Sequence, residues 1–162
     1  MKDVFQVERS LADSGEVKHA LAVPMLKTEV VTPAASEAWA KSLTVVDSGK
    51  TYVINAAASG CTAAFKLPTP EAGLWFKFYI ADTGSNDVTI TCTSDGDSAA
   101  NIGFHLGDVA SSVYSVASAA DVYTFGASSN NHTIGDWLEV FCDGTNWWGK
   151  GHAVVASSFT LA

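Results

Sequence analysis

Ile134-Gly135-Asp136-Trp137-Leu138-Glu139-Val140-Phe141-Cys142-Asp143-Gly144-Thr145-Asn146-Trp147-Trp148-Gly149-Lys150-Gly151 reads as a β-hairpin, and the rest of the chain is organised around it. Two runs of β-branched and aromatic residues flank Asp143-Gly144, residue types that tolerate the positive φ of a tight turn. The pattern repeats every two residues. Trp137, Glu139 and Phe141 share one face and Leu138, Val140 and Cys142 the other, and the second set is assigned to the core. Three of the five tryptophans fall here, which marks either the main packing unit or a recognition face. Adjacent strand residues point to opposite sides, so one of Trp147 and Trp148 packs inward. Trp137, Phe141 and Trp148 are assigned to a subunit interface.

Outward from this hairpin, short β-runs separated by turn residues recur every 8 to 12 positions from residue 43 onward. The runs are 43–46, 51–55, 63–67, 75–81, 88–93, 102–106, 112–116, 122–125, 137–141, 147–150 and 153–161. Asp47-Ser48-Gly49-Lys50, Thr83-Gly84-Ser85-Asn86 and Asn130-Asn131-His132 are among the dividers. Phe76, Phe78 and Ile80 of one run, and Val88, Ile90 and Cys92 of the next, are expected to face the core. This spacing, with no long amphipathic helix, predicts an all-β body, an antiparallel β-sandwich or small barrel over residues 43–162.

Residues 1–42 read differently, as an extended N-terminal arm with short helical pieces at 4–12 and 16–22. Both pieces are shorter than the roughly 12 to 15 residues at which an isolated helix becomes marginal in water. Pro24 and Pro33 interrupt the segment, and 34–42 reads as an Ala-rich connector anchored by Trp39. Such an arm must dock on the body or on a neighbour.

Composition narrows the classes of function. Charged residues make up 16% of the chain, below the roughly 25% usual for soluble domains. The net charge is −8 and no basic cluster occurs, which argues against nucleic acid. No run approaches the roughly 20 apolar residues of a membrane helix, and the polar start lacks a secretion signal, so no membrane partner is expected. Cys61, Cys92 and Cys142 are odd in number and widely spaced, as befits buried reduced thiols rather than a disulfide frame or zinc site.

No pattern for catalysis stands out. His19, His105, His132 and His152 are scattered, no serine sits in G-x-S-x-G, and a triad of His105, Asp108 and Ser111 is far outweighed by ordinary surface roles. The acidic stretches 82–87 and 94–98 carry oxygen ligands of the kind calcium uses, but Asp, Asn and Gly are also the default residues of turns. No enzyme activity, cofactor or metal is therefore expected. A sugar ring stacking on Trp147 beside Asn146 is the alternative use of the aromatics.

Four stretches, taken in order, resemble the β-rich domain of bacteriophage virion proteins, especially head decoration (cement) proteins. They are Gly49-Lys50-Thr51-Tyr52-Val53-Ile54, the turn and strand from Leu67-Pro68-Thr69-Pro70 to Trp75-Phe76, Asn86-Asp87-Val88-Thr89-Ile90, and Gly135-Asp136-Trp137 through Asp143-Gly144-Thr145-Asn146-Trp147. The resemblance spans residues 43–155 and departs from the family pattern at Trp148 and in the three cysteines. It implies a structural virion protein, a homotrimer on the outer capsid surface, assembled in the host cytoplasm and bound to the major capsid protein. On this reading Val4, Phe5, Val7 and Leu11 of the arm lie across neighbouring capsid subunits. The alternative is a tail- or fibre-associated carbohydrate-binding adhesion module.

Overall fold

Strand residues that alternate between apolar and polar can bury one face and leave the other to solvent, and this alternation recurs throughout the chain. Phe76, Phe78 and Ile80 are buried while Trp75, Lys77 and Tyr79 point outward; Val88 and Ile90 are buried while Thr89 and Thr91 point outward. The computed structural model describes residues 27–92, 100–108, 111–120, 122–126, 131–155 and 159–161, the strands between 100 and 120 by their backbone course.

The strands are β1 (Thr28–Val31), β2 (Ala38–Ser42), β3 (Thr51–Ile54), β4 (Thr62–Lys66), β5 (Trp75–Ile80), β6 (Val88–Thr91), β7 (Ala100–Asp108), β8 (Ser111–Ala120), β9 (Val122–Phe125), β10 (Trp137–Cys142), β11 (Trp147–Ala153) and β12 (Phe159–Leu161). One sheet has the order β1-β3-β5-β10-β11-β7-β8 and the other β12-β9-β6-β4-β2. Their inner faces meet in one apolar core, so the body is a two-sheet sandwich.

The expectation of an antiparallel body needs correction. β1 with β3, β3 with β5, β2 with β4, β4 with β6 and β11 with β7 all run parallel, so both sheets are mixed. From β1 to β6 the chain crosses to the opposite sheet at every step. Each sheet therefore receives its next strand in the same direction, as in a flattened coil. Turn residues serve such crossings as well as they serve hairpins.

The arm also begins to differ from its reading at residue 28. β1 and β2 lie inside the stretch assigned to the arm, yet they form the edge strands of the two sheets. Trp39 packs on Phe65 with ring centroids 5.0 Å apart, which ties β2 to the core. Residues 4–12 and 16–22, with Val4, Phe5, Val7 and Leu11, lie outside the described residues. The run 43–46 is not a strand, because Val45–Asp47 is a single 3-10 turn. Thr44 donates from its backbone N–H (3.0 Å) and hydroxyl (2.8 Å) to Asp47 Oδ2, which holds the chain in that turn.

An aromatic cluster joins the sheets. Tyr52 and Phe78 stack in one sheet, and Phe65 of the other contacts both at 5.0 Å between centroids. At the open edge this core ends in charge. Glu29 of β1 and Lys41 of β2 occupy inward register positions and pair across the sheets at 2.6 Å. Lys50 bridges Glu29 at 3.2 Å and Asp47 at 2.6 Å. Burial opposes ionisation of Asp47, but hydrogen bonds from Lys50 and Thr44 outweigh it and hold the carboxyl at about 2. The same contest, won by Lys41 and Lys50, lowers Glu29.

Candidate functional site: an aromatic outer face

The register of β5, β10 and β11 sets three rows across the outer face of the seven-stranded sheet. The first is Trp75, Phe141 and Trp148; the second Lys77, Glu139 and Lys150; the third Tyr79, Trp137 and His152. The third row runs on through Val53 and Val30, in β3 and β1. Every one of these positions is half-buried or exposed. The inner face of the same strands, Leu138, Val140 and Cys142 with Trp147, is buried as the alternation predicts.

The face is held in shape from within. Glu139 sits between two lysines, 3.7 Å from Lys77 Nζ and 3.1 Å from Lys150 Nζ. Lys77 Nζ also lies 4.9 Å from the Tyr79 ring and 5.0 Å from the Trp137 ring, so the middle row pins the third by cation–π attraction. The Trp148 indole N–H donates to Asp143 Oδ2 at 2.8 Å. Asp143 Oδ1 also accepts the backbone N–H groups of Thr145 and Asn146, each at 2.8 Å, which closes the hairpin turn. The Asn146 amide, then the Trp148 indole and the Thr145 amide, hold the Asp143 carboxyl at about 2. Gly144, at φ 108°, supplies the left-handed residue of that turn.

The predicted interface residues thus share one face, Trp137 and Trp148 half-buried and Phe141 45% exposed. Trp147 is a correction. At 2% exposure, with its ring 5.8 Å from that of Phe76, it belongs to the core and offers no stacking platform. Asn146 is half-buried and serves the turn through its backbone. Trp75, 39% exposed, completes the first row, and the sequence reading left it out of the interface. The signal was present in its place on the outward side of β5, but its partner Phe141 is 66 residues away and only the β5–β10 register joins them.

A second polar grouping lies at one end of the sandwich. Asp82 Oδ1 accepts the N–H of Ala56 at 2.9 Å, and Asp82 Oδ2 lies 2.9 Å from His132 Nε2. His132 is fully buried and bonds through its backbone to Gly84 in both directions. Asn86 donates to the carbonyls of Ala56 (2.6 Å) and Ala58 (2.8 Å), and Asp136 accepts the N–H groups of Thr133 (2.9 Å) and Val154 (2.7 Å). An Asp–His pair is the raw material of acid–base chemistry, but this one is sealed from solvent and, together with Asn86 and Asp136, stitches four loops together. Nothing in sequence joins residues 82 and 132, and only the fold brings them into contact.

Asp108 and Ser111 are register partners across the β7–β8 hairpin, whereas His105 pairs with Tyr114. All three cysteines are buried and none forms a disulfide. Burial pushes the Cys61 and Cys142 thiols up, away from the reactive thiolate. Among the described residues no group of three or more acidic, His or Cys side chains converges as a metal site, and no helix is long and apolar enough to cross a membrane. No protein-family model matches the chain, and no curated protein or solved structure is significantly similar to it.

Proposed function

We propose that this protein is a non-enzymatic structural component of a bacteriophage virion, a decoration protein bound to the outer capsid surface that stabilises contacts between capsid subunits. The observation that carries the reading is the aromatic outer face. Trp75, Phe141, Trp148, Tyr79 and Trp137 stand on one side of a rigid sheet, where burial against protein returns roughly 25 cal/mol per Å² of apolar surface. Repeated over many equivalent positions on a shell, modest contacts of this kind add up to strong resistance against internal pressure. The four stretches that resemble phage virion β-domains support the setting, the homotrimer and the major capsid protein as partner. Val4, Phe5, Val7 and Leu11 serve as the second contact, through the arm.

Decoration is tested by mixing the purified protein with capsids that lack it and locating added density by cryo-EM. Trp75→Ala with Phe141→Ser should abolish decoration while leaving the unfolding transition in place, and deletion of residues 1–22 should do the same. Full decoration by the first variant would remove the face from the mechanism, and full decoration by the second would remove the arm.

The second reading, a carbohydrate-binding adhesion module on a tail or fibre, now rests on Trp148, whose half-buried indole is fixed by Asp143. Saturable binding on a glycan array, lost in Trp148→Ala, would favour it over decoration.

A further inference from the structure

The middle row of the aromatic face is unbalanced in charge. Lys77 and Lys150 both converge on Glu139, at 3.7 Å and 3.1 Å, so the row carries two positive charges against one negative. Lys77 is half-buried, and its ammonium also rests against the Tyr79 and Trp137 rings at 4.9 Å and 5.0 Å. The Lys150 side chain is 60% exposed, and among the described residues Glu139 is its one counter-charge. Asp143, at the hairpin end of the face, is already engaged by the N–H groups of Thr145, Asn146 and Trp148.

Water satisfies the surplus ammonium while the face is open. A partner that buries the apolar rows on either side removes that water, and a cation left in an interface without an anion costs more than its other contacts return. Whatever covers this face therefore has to bring a carboxylate to Lys150. Long-range electrostatics points the same way. The row is positive on a chain whose net charge is −8, so an acidic partner is repelled by the remaining surface and drawn here.

Register also fixes the spacing of the partner. Along β11 the outward positions are Trp148, Lys150 and His152, each two residues and about 7 Å from the next. Along β10 they are Phe141, Glu139 and Trp137, and along β5 Trp75, Lys77 and Tyr79. An extended segment laid on this face presents its own side chains at the same two-residue interval. An acid at one position, with apolar groups two residues before and two after, then matches all three rows.

We infer that the aromatic face takes an extended protein segment in which one acidic residue, flanked two residues away on each side by large apolar side chains, places its carboxylate on Lys150. The inference rests on the reading of this face as a protein contact, and it names what the partner must carry.

Selection from random peptides displayed on filamentous phage, with the full chain as bait, tests it without capsids. Recovered peptides should be enriched in the flanked acid at that spacing. Binding of a synthetic consensus peptide, followed by fluorescence anisotropy, should weaken roughly tenfold or more in Lys150→Glu. It should strengthen several-fold in Glu139→Gln, which leaves both lysines without their anion. Lys66→Glu, the same change at an exposed position of the other sheet, should leave it unaltered. Damage to the fold does not produce a variant of higher affinity. Recovered peptides without an acid, a consensus whose binding ignores Lys150→Glu, or a failure to recover any peptide would overturn the inference. So would saturable binding of a polyuronate in place of peptides, which would hand the face to the adhesion reading. Loss of decoration in Trp75→Ala with Phe141→Ser, alongside peptides with no preference for an acid, would sink this inference alone. Acid-selective peptides alongside full decoration by that variant would uphold the inference and sink the decoration reading.

Discussion

Trp147 and Trp148 are neighbours in the chain and opposites in the fold. One fills the core beside Phe76 and the other lies on the outer face with its indole N–H on Asp143. Trp147→Ala should cost about 3 to 5 kcal/mol by leaving a cavity, whereas Trp148→Ala should cost about 1 kcal/mol or less. Urea unfolding of the two variants checks the contrast, and equal losses would mean the faces are misassigned. Tyr52 poses the reverse case, with a fully buried ring whose hydroxyl has no hydrogen-bond partner among the described residues and whose ionisation is pushed up by burial. Removing an unsatisfied buried oxygen relieves a desolvation penalty, so Tyr52→Phe should leave thermal stability unchanged or raise it. Period-two patterning made Leu138, Val140 and Cys142 readable as core before any coordinates. It showed that one of the two tryptophans had to be buried, while the choice of Trp147 depends on the register that pairs it with Cys142. Asp82 and His132 were unreadable as partners for a different reason: no periodicity links positions 50 apart, and each alone looks like an ordinary turn residue.

At the scale of an element, the turn of the β10–β11 hairpin depends on one ionised carboxylate. Asp143 has its folded value depressed to about 2, below the roughly 3.9 of an unfolded aspartate. Its contribution is therefore complete above about pH 4 and is lost as the pH falls through about 2. Acid titration followed by tryptophan fluorescence should show a change between these limits as Trp148 loses its acceptor. Asp143→Asn should flatten that change, and an unaltered titration in the variant would place its origin elsewhere. The β2 strand illustrates why elements were misread. Ala38-Trp39-Ala40-Lys41-Ser42 has little intrinsic β-propensity and reads as a connector, but pairing with β4 and the Trp39–Phe65 contact make it a strand. The 3-10 turn at Val45–Asp47 runs the other way, since two valines favour a strand and the Asp47 carboxylate overrules them.

For the whole molecule, the all-β sandwich was legible and its winding was not. Apolar alternation records which face of a strand is buried, but carries no mark of whether the next strand joins the same sheet or the opposite one. Among the described residues the coil leaves β1 and β2 as adjacent edge strands, and the inward Glu29–Lys41 pair closes the gap between them. Inward charges at a sheet edge discourage other strands from adding there. Glu29→Val with Lys41→Val should keep the fold while making the apparent mass rise with concentration, as read by light scattering. A variant that stays at its original mass over a hundredfold range would show that the edge is guarded by something else.

The coil also dictates an order of events as the chain is synthesised. Strands β1 to β6 find their parallel partners only 23 to 26 residues away, as in Thr28 with Thr51 and Ala63 with Val88. Loop closure over such distances is cheap, so these coils can form one after another as they leave the ribosome. The far side of β5 must wait for β10, with Phe76 meeting Val140 across 64 residues. Until the hairpin arrives, Trp75-Phe76-Lys77-Phe78-Tyr79-Ile80 stands as a bare aromatic edge in a nascent protein. The late β10–β11 hairpin is what ends that exposure, and slow closure would leave the edge open to aggregation.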